Sequence, residues 1–388
     1  MKLKKWIKKV ILFLYAIMRK VLPVNKKIIL FESNSGRNYS GNPRYIYEEI
    51  VAEGLDNEYK CVWILENTDI NIPGNVKKIK RSRMKYYYYF SIAGFWVFDN
   101  RQPDFIKKRY SVTYIQTWHG TPLKKLGLDM DKVVMESDKD IEKYHDKFIE
   151  NSSSWDYLIS QNEFSTNIFR RCFAFKKDIL EIGYPRNDIL VREKDNSTFW
   201  KEKLGIPSDK KVILYAPTWR DDQYYGESSY KFVTTMDFDM MREKLSDEYV
   251  MIVKYHYIMN DKIDWSAYKG FIYQFNETED IAHLYLAADC LITDYSSVMF
   301  DYSILERPMF FYAYDLENYR ENLRGFYFDY FDYIPGPVSK TTEELLVQME
   351  QYNSSEWEER YMRFRKKFNS KDDGRSAAKV IEVIKENT

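Results

Sequence analysis

His119 sits in Gln116-Thr-Trp-His-Gly-Thr-Pro-Leu-Lys-Lys-Leu-Gly127, where an apolar run ends and a glycine, a Thr-Pro pair and two lysines follow. This pattern predicts a strand tip that opens onto a cationic loop. In open α/β sheets such carboxyl-end loops bind the ligand, and an imidazole there can take a proton from a hydroxyl near neutral pH. A histidine that only caps a turn is the alternative, and the residues around His119 weigh against it.

Four more segments follow predicted strands. In Glu181-Ile-Gly-Tyr-Pro-Arg-Asn-Asp188, Gly183 and Pro185 force a turn, and Arg186 presents a planar cation suited to phosphate unless it is spent on an ion pair with Asp188. Val212-Ile-Leu-Tyr-Ala-Pro-Thr-Trp-Arg-Asp-Asp222 delivers Thr218, Trp219 and Arg220. There the aromatic can stack on a base and the cation can pair with phosphate, or the Trp is simply buried beside a solvated turn. Met251-Ile-Val-Lys-Tyr-His-Tyr257 sets Lys254 and His256 at another strand end, where a core histidine is the plain alternative. Asp289-Cys-Leu-Ile-Thr-Asp-Tyr-Ser-Ser-Val-Met-Phe-Asp-Tyr302 places Ser296 and Ser297 where a helix begins. Their hydroxyls and the free N–H groups can cradle a phosphate, which N-capping does not preclude. Neither a Gly-rich dinucleotide fingerprint nor a Walker loop occurs, which argues against a nicotinamide enzyme and a phosphate-loop nucleotidase. Together the five segments describe a cleft that holds a nucleoside diphosphate derivative between two imidazoles, its pyrophosphate neutralised by arginines, a lysine and a helix start.

These residues need strands to carry them. Short β-branched and aromatic runs predict strands at Lys27–Phe31, Cys61–Leu65, Phe95–Phe98, Val112–Gln116, Tyr157–Ser160 and Ile179–Ile182. A second set is predicted at Val212–Ala216, Val250–Lys254, Phe271–Tyr273, Cys290–Thr293 and Met309–Tyr312. Helical stretches between them imply buried parallel strands. The expected α/β architecture is two doubly wound Rossmann-like domains facing across a cleft, residues 25–195 on the acceptor side and 196–388 on the nucleotide side. The last helix is expected to be a charged amphipathic one from Glu356 onward.

The 59 basic and 59 acidic side chains cancel, so no global attraction to nucleic acid is implied. Their distribution is uneven. No acidic residue precedes Glu32, whereas Lys2, Lys4, Lys5, Lys8, Lys9, Arg19 and Lys20 flank the apolar run Val10–Met18. That run is about half the length needed to span a bilayer, and Met18-Arg-Lys-Val-Leu-Pro23 replaces a signal-peptidase site. Residues 1–24 are therefore expected to be an interfacial helix on an anionic membrane surface, with packing on its own domain as the alternative. Lys77-Lys-Ile-Lys-Arg-Ser-Arg-Met-Lys85 and the tyrosines after it form a second basic patch, which reads first as a solvated helix face. Cys61, Cys172 and Cys290 lack metal spacing and suit a reducing cytosol, and no zinc motif is visible among the four histidines.

The chain resembles the CDP-glycerol glycerophosphotransferase family of teichoic acid primases and polymerases. The resemblance is carried by Thr117–Gly127, Gly183–Asp188, Tyr215–Asp222, Leu291–Tyr302, Arg307-Pro-Met-Phe-Phe-Tyr-Ala-Tyr-Asp315 and Arg324-Gly-Phe-Tyr-Phe-Asp329. It implies a GT-B fold, a peripheral enzyme on the cytoplasmic face of the cell membrane, and two essential histidines, which fall on His119 and His256. It further implies CDP-alditol contacts, for which the expected set is Trp118, Gly120, Thr121, Arg186, Thr218, Trp219, Arg220, Lys254, Ser296, Ser297 and Asp301. Tyr257 stands where the family often has proline after the second histidine.

The expected reaction is attack by a hydroxyl of an undecaprenyl-diphosphate-linked saccharide on CDP-glycerol, with His119 as base and CMP released. A CDP-ribitol-dependent transferase and a GT-B glycosyltransferase are the alternatives, as is a scaffold that only binds polymer. No cofactor is expected. Asp129-Met-Asp131 and Asp237-Phe-Asp239 look like metal-binding pairs but lack context. The chain leaves little room for the extra N-terminal region of the family's polymerases, so a primase-like enzyme is expected.

Overall fold

The computed structural model describes residues 2–131, 140–218, 230–231, 235–254, 259–260, 263–276, 278–315 and 325–388. The chain forms two compact units. One comprises Met1–Gly120, Asp140–Asp188 and Lys371–Thr388, and the other Thr121–Lys139 with Ile189–Ser370.

The first unit is built on seven parallel strands: β1 (Asn25–Glu32), β2 (Lys60–Leu65), β3 (Val76–Lys80), β4 (Ala93–Phe98), β5 (Thr113–Gln116), β6 (Tyr157–Ser160) and β7 (Asp178–Glu181). Every residue of β4 is buried, as is β2 beyond its first residue, because helices cover both faces of a parallel sheet. The order is β3-β2-β1-β4-β5-β6-β7, so the chain reverses direction across the sheet between β1 and β4. Ile29 pairs with Cys61 on one side of β1 and with Phe95 on the other. At such a switch point the loops diverge and leave a crevice.

In the second unit the strands are β8 (Lys211–Ala216), β9 (Tyr230–Lys231), β10 (Tyr249–Val253), β11 (Met259–Asn260), β12 (Ile272–Tyr273), β13 (Cys290–Thr293), β14 (Met309–Tyr312) and β15 (Val338–Ser339). Six of them form a parallel sheet in the order β12-β10-β8-β13-β14-β15, and β9 pairs with β11 apart from it. Taken in chain order, this sheet repeats the arrangement of the first, with its switch point between β8 and β13. Both Rossmann-like units of the expected α/β class are thus present, and each of the eleven expected strands is found with its ends shifted by at most two residues.

Three expectations are corrected. The units are not a linear split at residue 195. The chain returns from the second unit to the first, and its last helix, Ser376–Glu386, buries Val380, Ile381 and Ile384 against the β1–β2 core. Gly183 permits this return. Its φ is +86°, and a Cβ there would lie 2.8 Å from the Lys371 carbonyl oxygen and from Ser376 Oγ. The helix starting near Glu356 is Ser354–Phe368 and is not the last. The basic stretch Lys77–Lys85 is for the most part not a helix face: Lys77, Lys78 and Lys80 lie exposed on the edge strand β3, where only Ile79 is buried, and only Met84 and Lys85 belong to the helix Met84–Ile92. Charged residues on an edge strand discourage pairing with other chains.

Helix α1 (Lys2–Val21) does two things at once. Tyr15, 3% exposed, packs its ring 5.6 Å from that of Tyr87, and Arg19 Nη1 donates to the Lys107 carbonyl at 2.9 Å. The other face presents Trp6, Val10, Phe13, Ile17 and Val21 to solvent. Among the described residues, no helix is long and apolar enough to cross a membrane.

Candidate functional site

In the first unit the loops after β1, β4, β5 and β7 converge at the carboxyl ends of the strands. Helix α2 (Gly41–Ala52) follows the first of these loops. Trp118 has φ +51° and Gly120 φ +155°, so the chain turns sharply on either side of His119. A left-handed tryptophan is strained by about 1–3 kcal/mol and persists only where its surroundings hold it. Here its indole is buried against Phe173 (4.7 Å) and Phe169 (5.9 Å), and the His119 ring stacks on it at 4.3 Å. Trp118, expected to contact substrate, thus forms the floor under His119.

The His119 ring is open to solvent on its outer side. Its Nδ1 lies 3.1 Å from the main-chain carbonyl of Asp99, which can only accept, so Nδ1 carries the proton and Nε2 keeps its lone pair. Surrounding protein, together with the cations Arg186 and Arg101, holds the imidazole pKa down to about 4, against the opposing pull of the Asp99 carbonyl. At pH 7 His119 is therefore neutral and able to accept a proton.

Arg186 sits in the 3-10 turn Pro185–Asn187. Its Nη1 donates to the His119 carbonyl at 2.8 Å, and Asp188 uses its carboxylate on the main-chain N–H groups of Ser376 and Ala377. The expected cation and base are therefore neighbours.

Two residues of this site escaped the sequence reading. Asp99, directly after β4, accepts from Ser33 Oγ at 2.7 Å and from Asn34 N at 2.9 Å across the switch point. It pins a loop in which Asn34, Ser35 and Gly36 all have positive φ. Burial pushes its carboxyl up to about 7 despite those bonds. Beside it Glu32, also raised by burial, accepts from Arg81 Nε and Gln102 Nε2. Asn42, on α2, bonds to the backbone on either side of the site. A polar residue after a buried strand was the available signal for Asp99; Asn42 reads only as a helix start.

The second unit repeats the device. Asp294, just past β13, accepts from Thr218 N at 2.8 Å across its own switch point, and its carbonyl receives the hydroxyl of Tyr330. Lys254 follows β10 and its Nζ donates to the Asn276 carbonyl. Ser296 and Ser297 precede a helix of only five residues, Val298–Tyr302, and Ser297 makes no side-chain cap. The helix dipole there is correspondingly short. Asp301 is buried within that helix, and Thr121 is buried as well. His256, Trp219 and Arg220 lie outside the described residues.

The two acidic pairs have structural partners. Asp129 accepts from the Tyr327 hydroxyl and Asp131 pairs with Lys125. Asp237 caps the helix Phe238–Leu245, and Asp239 pairs with Arg242.

Each unit is built on a Rossmann-like parallel sheet, and the first sets an imidazole and a guanidinium side by side among its strand-end loops, an arrangement suited to group transfer on anionic substrates. The chain belongs to the CDP-Glycerol:Poly(glycerophosphate) glycerophosphotransferase family, whose model matches residues 14–386, and it is accordingly a CDP-glycerol glycerophosphotransferase. It is 43% identical to a teichoic acid poly(glycerol phosphate) polymerase of Bacillus spizizenii (strain W23), a match covering 94% of this chain and 93% of that protein. A polymerase with the same description from Bacillus subtilis (strain 168) is 44% identical, and the chain spans 49% of its length. A variant of the wall teichoic acid polymerase TagF, solved after a soak with CDPG, superimposes with a TM-score of 0.90 at 40% identity, covering 97% of this chain and 93% of that one.

Proposed function

We propose that the protein transfers glycerol phosphate from CDP-glycerol to a hydroxyl of a lipid-linked saccharide during teichoic acid synthesis. The acceptor oxygen bonds to the β-phosphorus, the bond from that phosphorus to the bridging oxygen breaks, and CMP leaves. The hydroxyl proton passes to His119 Nε2. Arg186, Arg220 and Lys254 stabilise charge on the transferring group, and His256 holds the pyrophosphate or protonates the leaving side. The observation that carries this reading is the neutral imidazole of His119, open to solvent, with its lone pair free and a guanidinium beside it.

The acceptor's lipid explains α1. Its inner face holds the helix to the first unit, while Trp6, Phe13 and Ile17 enter the headgroup boundary of the cytoplasmic leaflet and its lysines meet anionic lipid. The enzyme is in this reading peripheral to the membrane.

The number of units added is a separate matter. A primase-like enzyme adds one or few. The near end-to-end match to a poly(glycerol phosphate) polymerase favours repeated addition instead.

Incubation with CDP-glycerol or CDP-ribitol and a lipid-linked disaccharide analogue tests both points. CMP and mass increments of glycerol phosphate are expected, with a ladder for repeated addition. Ribitol phosphate increments would reassign the donor, and a nucleoside diphosphate with a new glycoside would replace the reading altogether. Full activity in chelator is expected, since no step above uses a metal.

A further inference from the structure

We propose that Asn42 is a positioning residue for the transfer reaction, its carboxamide holding the His119 loop and the Arg186 turn in one geometry. The inference rests on His119 acting as the base.

Asn42 is 1% exposed and lies in the first turn of α2, two residues after the N-cap Ser40. Its side chain reaches away from its own helix. Its Nδ2 donates to the carbonyls of Thr117 (3.1 Å) and Trp118 (3.0 Å), and its Oδ1 accepts from the Arg186 main-chain N–H at 3.2 Å. Thr117 and Trp118 belong to irregular backbone after β5 and Arg186 to the 3-10 turn Pro185–Asn187, and none of these bonds completes a sheet or helix ladder. A carboxamide offers two donors and an acceptor, and here both kinds of group are used.

The consequence follows from the strain at Trp118. Its positive φ is a disfavoured state for tryptophan, and the two bonds from Asn42 help to hold the carbonyls of Thr117 and Trp118 in it, with Thr117 Oγ1 also donating to the Trp118 carbonyl at 3.1 Å. Because the imidazole stacks on the Trp118 ring, rotating the peptide before His119 would move the base. Arg186 closes the circuit, since its side chain donates to the His119 carbonyl while its main-chain N–H is held by Asn42. Asn42 thereby sets the spacing between base and cation without touching the reacting atoms. Misplacement of about 1 Å in such a pair costs on the order of 10²-fold in rate.

The test uses the full-length enzyme with CDP-glycerol and a lipid-linked acceptor, comparing wild type, Asn42→Ala, His119→Asn and the double variant. For Asn42→Ala, kcat is expected to fall about 10²-fold while KM for CDP-glycerol stays within about threefold. In the His119→Asn background the same change should have no further effect, because a residue that acts through the base has nothing left to position. Near-normal kcat in Asn42→Ala, or an equal loss with and without His119, would overturn the proposal. A fully active His119→Asn enzyme is a different failure, that of His119 as base. Calorimetric binding of CDP-glycerol measures the folded fraction of each variant. If Asn42→Ala yields no folded protein, Asn42→Asp, which keeps the shape and the acceptor but loses both donors, takes its place with the same expected outcomes.

Discussion

The main-chain carbonyl of Asp99 lies 3.1 Å from Nδ1 of His119. That one contact decides which imidazole nitrogen can act as base, because a carbonyl forces the proton onto Nδ1. Asparagine at 119 can offer its own N–H to this carbonyl but has no basic nitrogen. His119→Asn should therefore keep CDP-glycerol binding while kcat falls roughly 10²- to 10⁴-fold, which calorimetry and product assays read separately.

The depressed pKa of His119 makes a prediction about acid. Burial lowers it most, with Arg186 and Arg101 adding to the effect. In the free enzyme the imidazole should stay neutral below its ordinary range, with its titration midpoint under 6.5. NMR of the ring protons gives that midpoint directly. Arg186→Gln removes one of the depressing cations and should move it upward; an unchanged midpoint would detach Arg186 from the electrostatics of the base.

Asp99 acts on stability with the opposite pH sense from a salt-bridged carboxylate. Its folded pKa, raised to about 7, lies above the unfolded value near 3.8, so the folded state binds the extra proton between them. The stability this contributes is full below the unfolded value and is lost as pH rises through about 7. Glu32, raised by burial as well, adds in the same direction. An asparagine at 99 stays neutral and can still accept from Ser33 and Asn34. Relative to wild type, the melting temperature of Asp99→Asn should thus rise by a few degrees between pH 5 and pH 8. A pH-independent difference between the two proteins would contradict this assignment.

The two faces of α1 should separate in experiment. Trp6 and Phe13 are 63% and 65% exposed, so changing both to serine should leave the melting temperature unaltered and weaken binding to anionic vesicles. Tyr15→Ala removes the buried contact with Tyr87 and costs about 3 kcal/mol of helix docking. Limited proteolysis after Arg19 or Lys20 should then accelerate. Vesicle binding unaffected by the serine pair would assign the membrane contact to another surface.

Much of this molecule is legible in its sequence. Continuous short runs such as Phe95–Phe98 and Val212–Ala216, rich in aromatic and β-branched residues, read as buried strands, and strands alternating with helical stretches admit few arrangements other than doubly wound sheets. His119 and Arg186 were visible because strand-end loops concentrate chemistry and because a glycine or proline beside a polar residue marks a turn. What remained hidden is what depends on a neighbour distant in sequence. Strand β3 carries a single buried apolar residue and was missed, since an edge strand has no alternating pattern to show. Residues 376–386 fall within the range expected for the second unit, yet their helix joins the first because its apolar face packs on the β1–β2 core. Asn42 reads as a helix start because its three partners, Thr117, Trp118 and Arg186, are 75, 76 and 144 residues away. The chain by itself determined which residues could carry the chemistry, because residue type and local pattern are one-dimensional. Folding alone decided which of them meet, which imidazole nitrogen is free, and which buried carboxylate is pushed toward its protonated form, because hydrogen bonds and desolvation are set by distances in space.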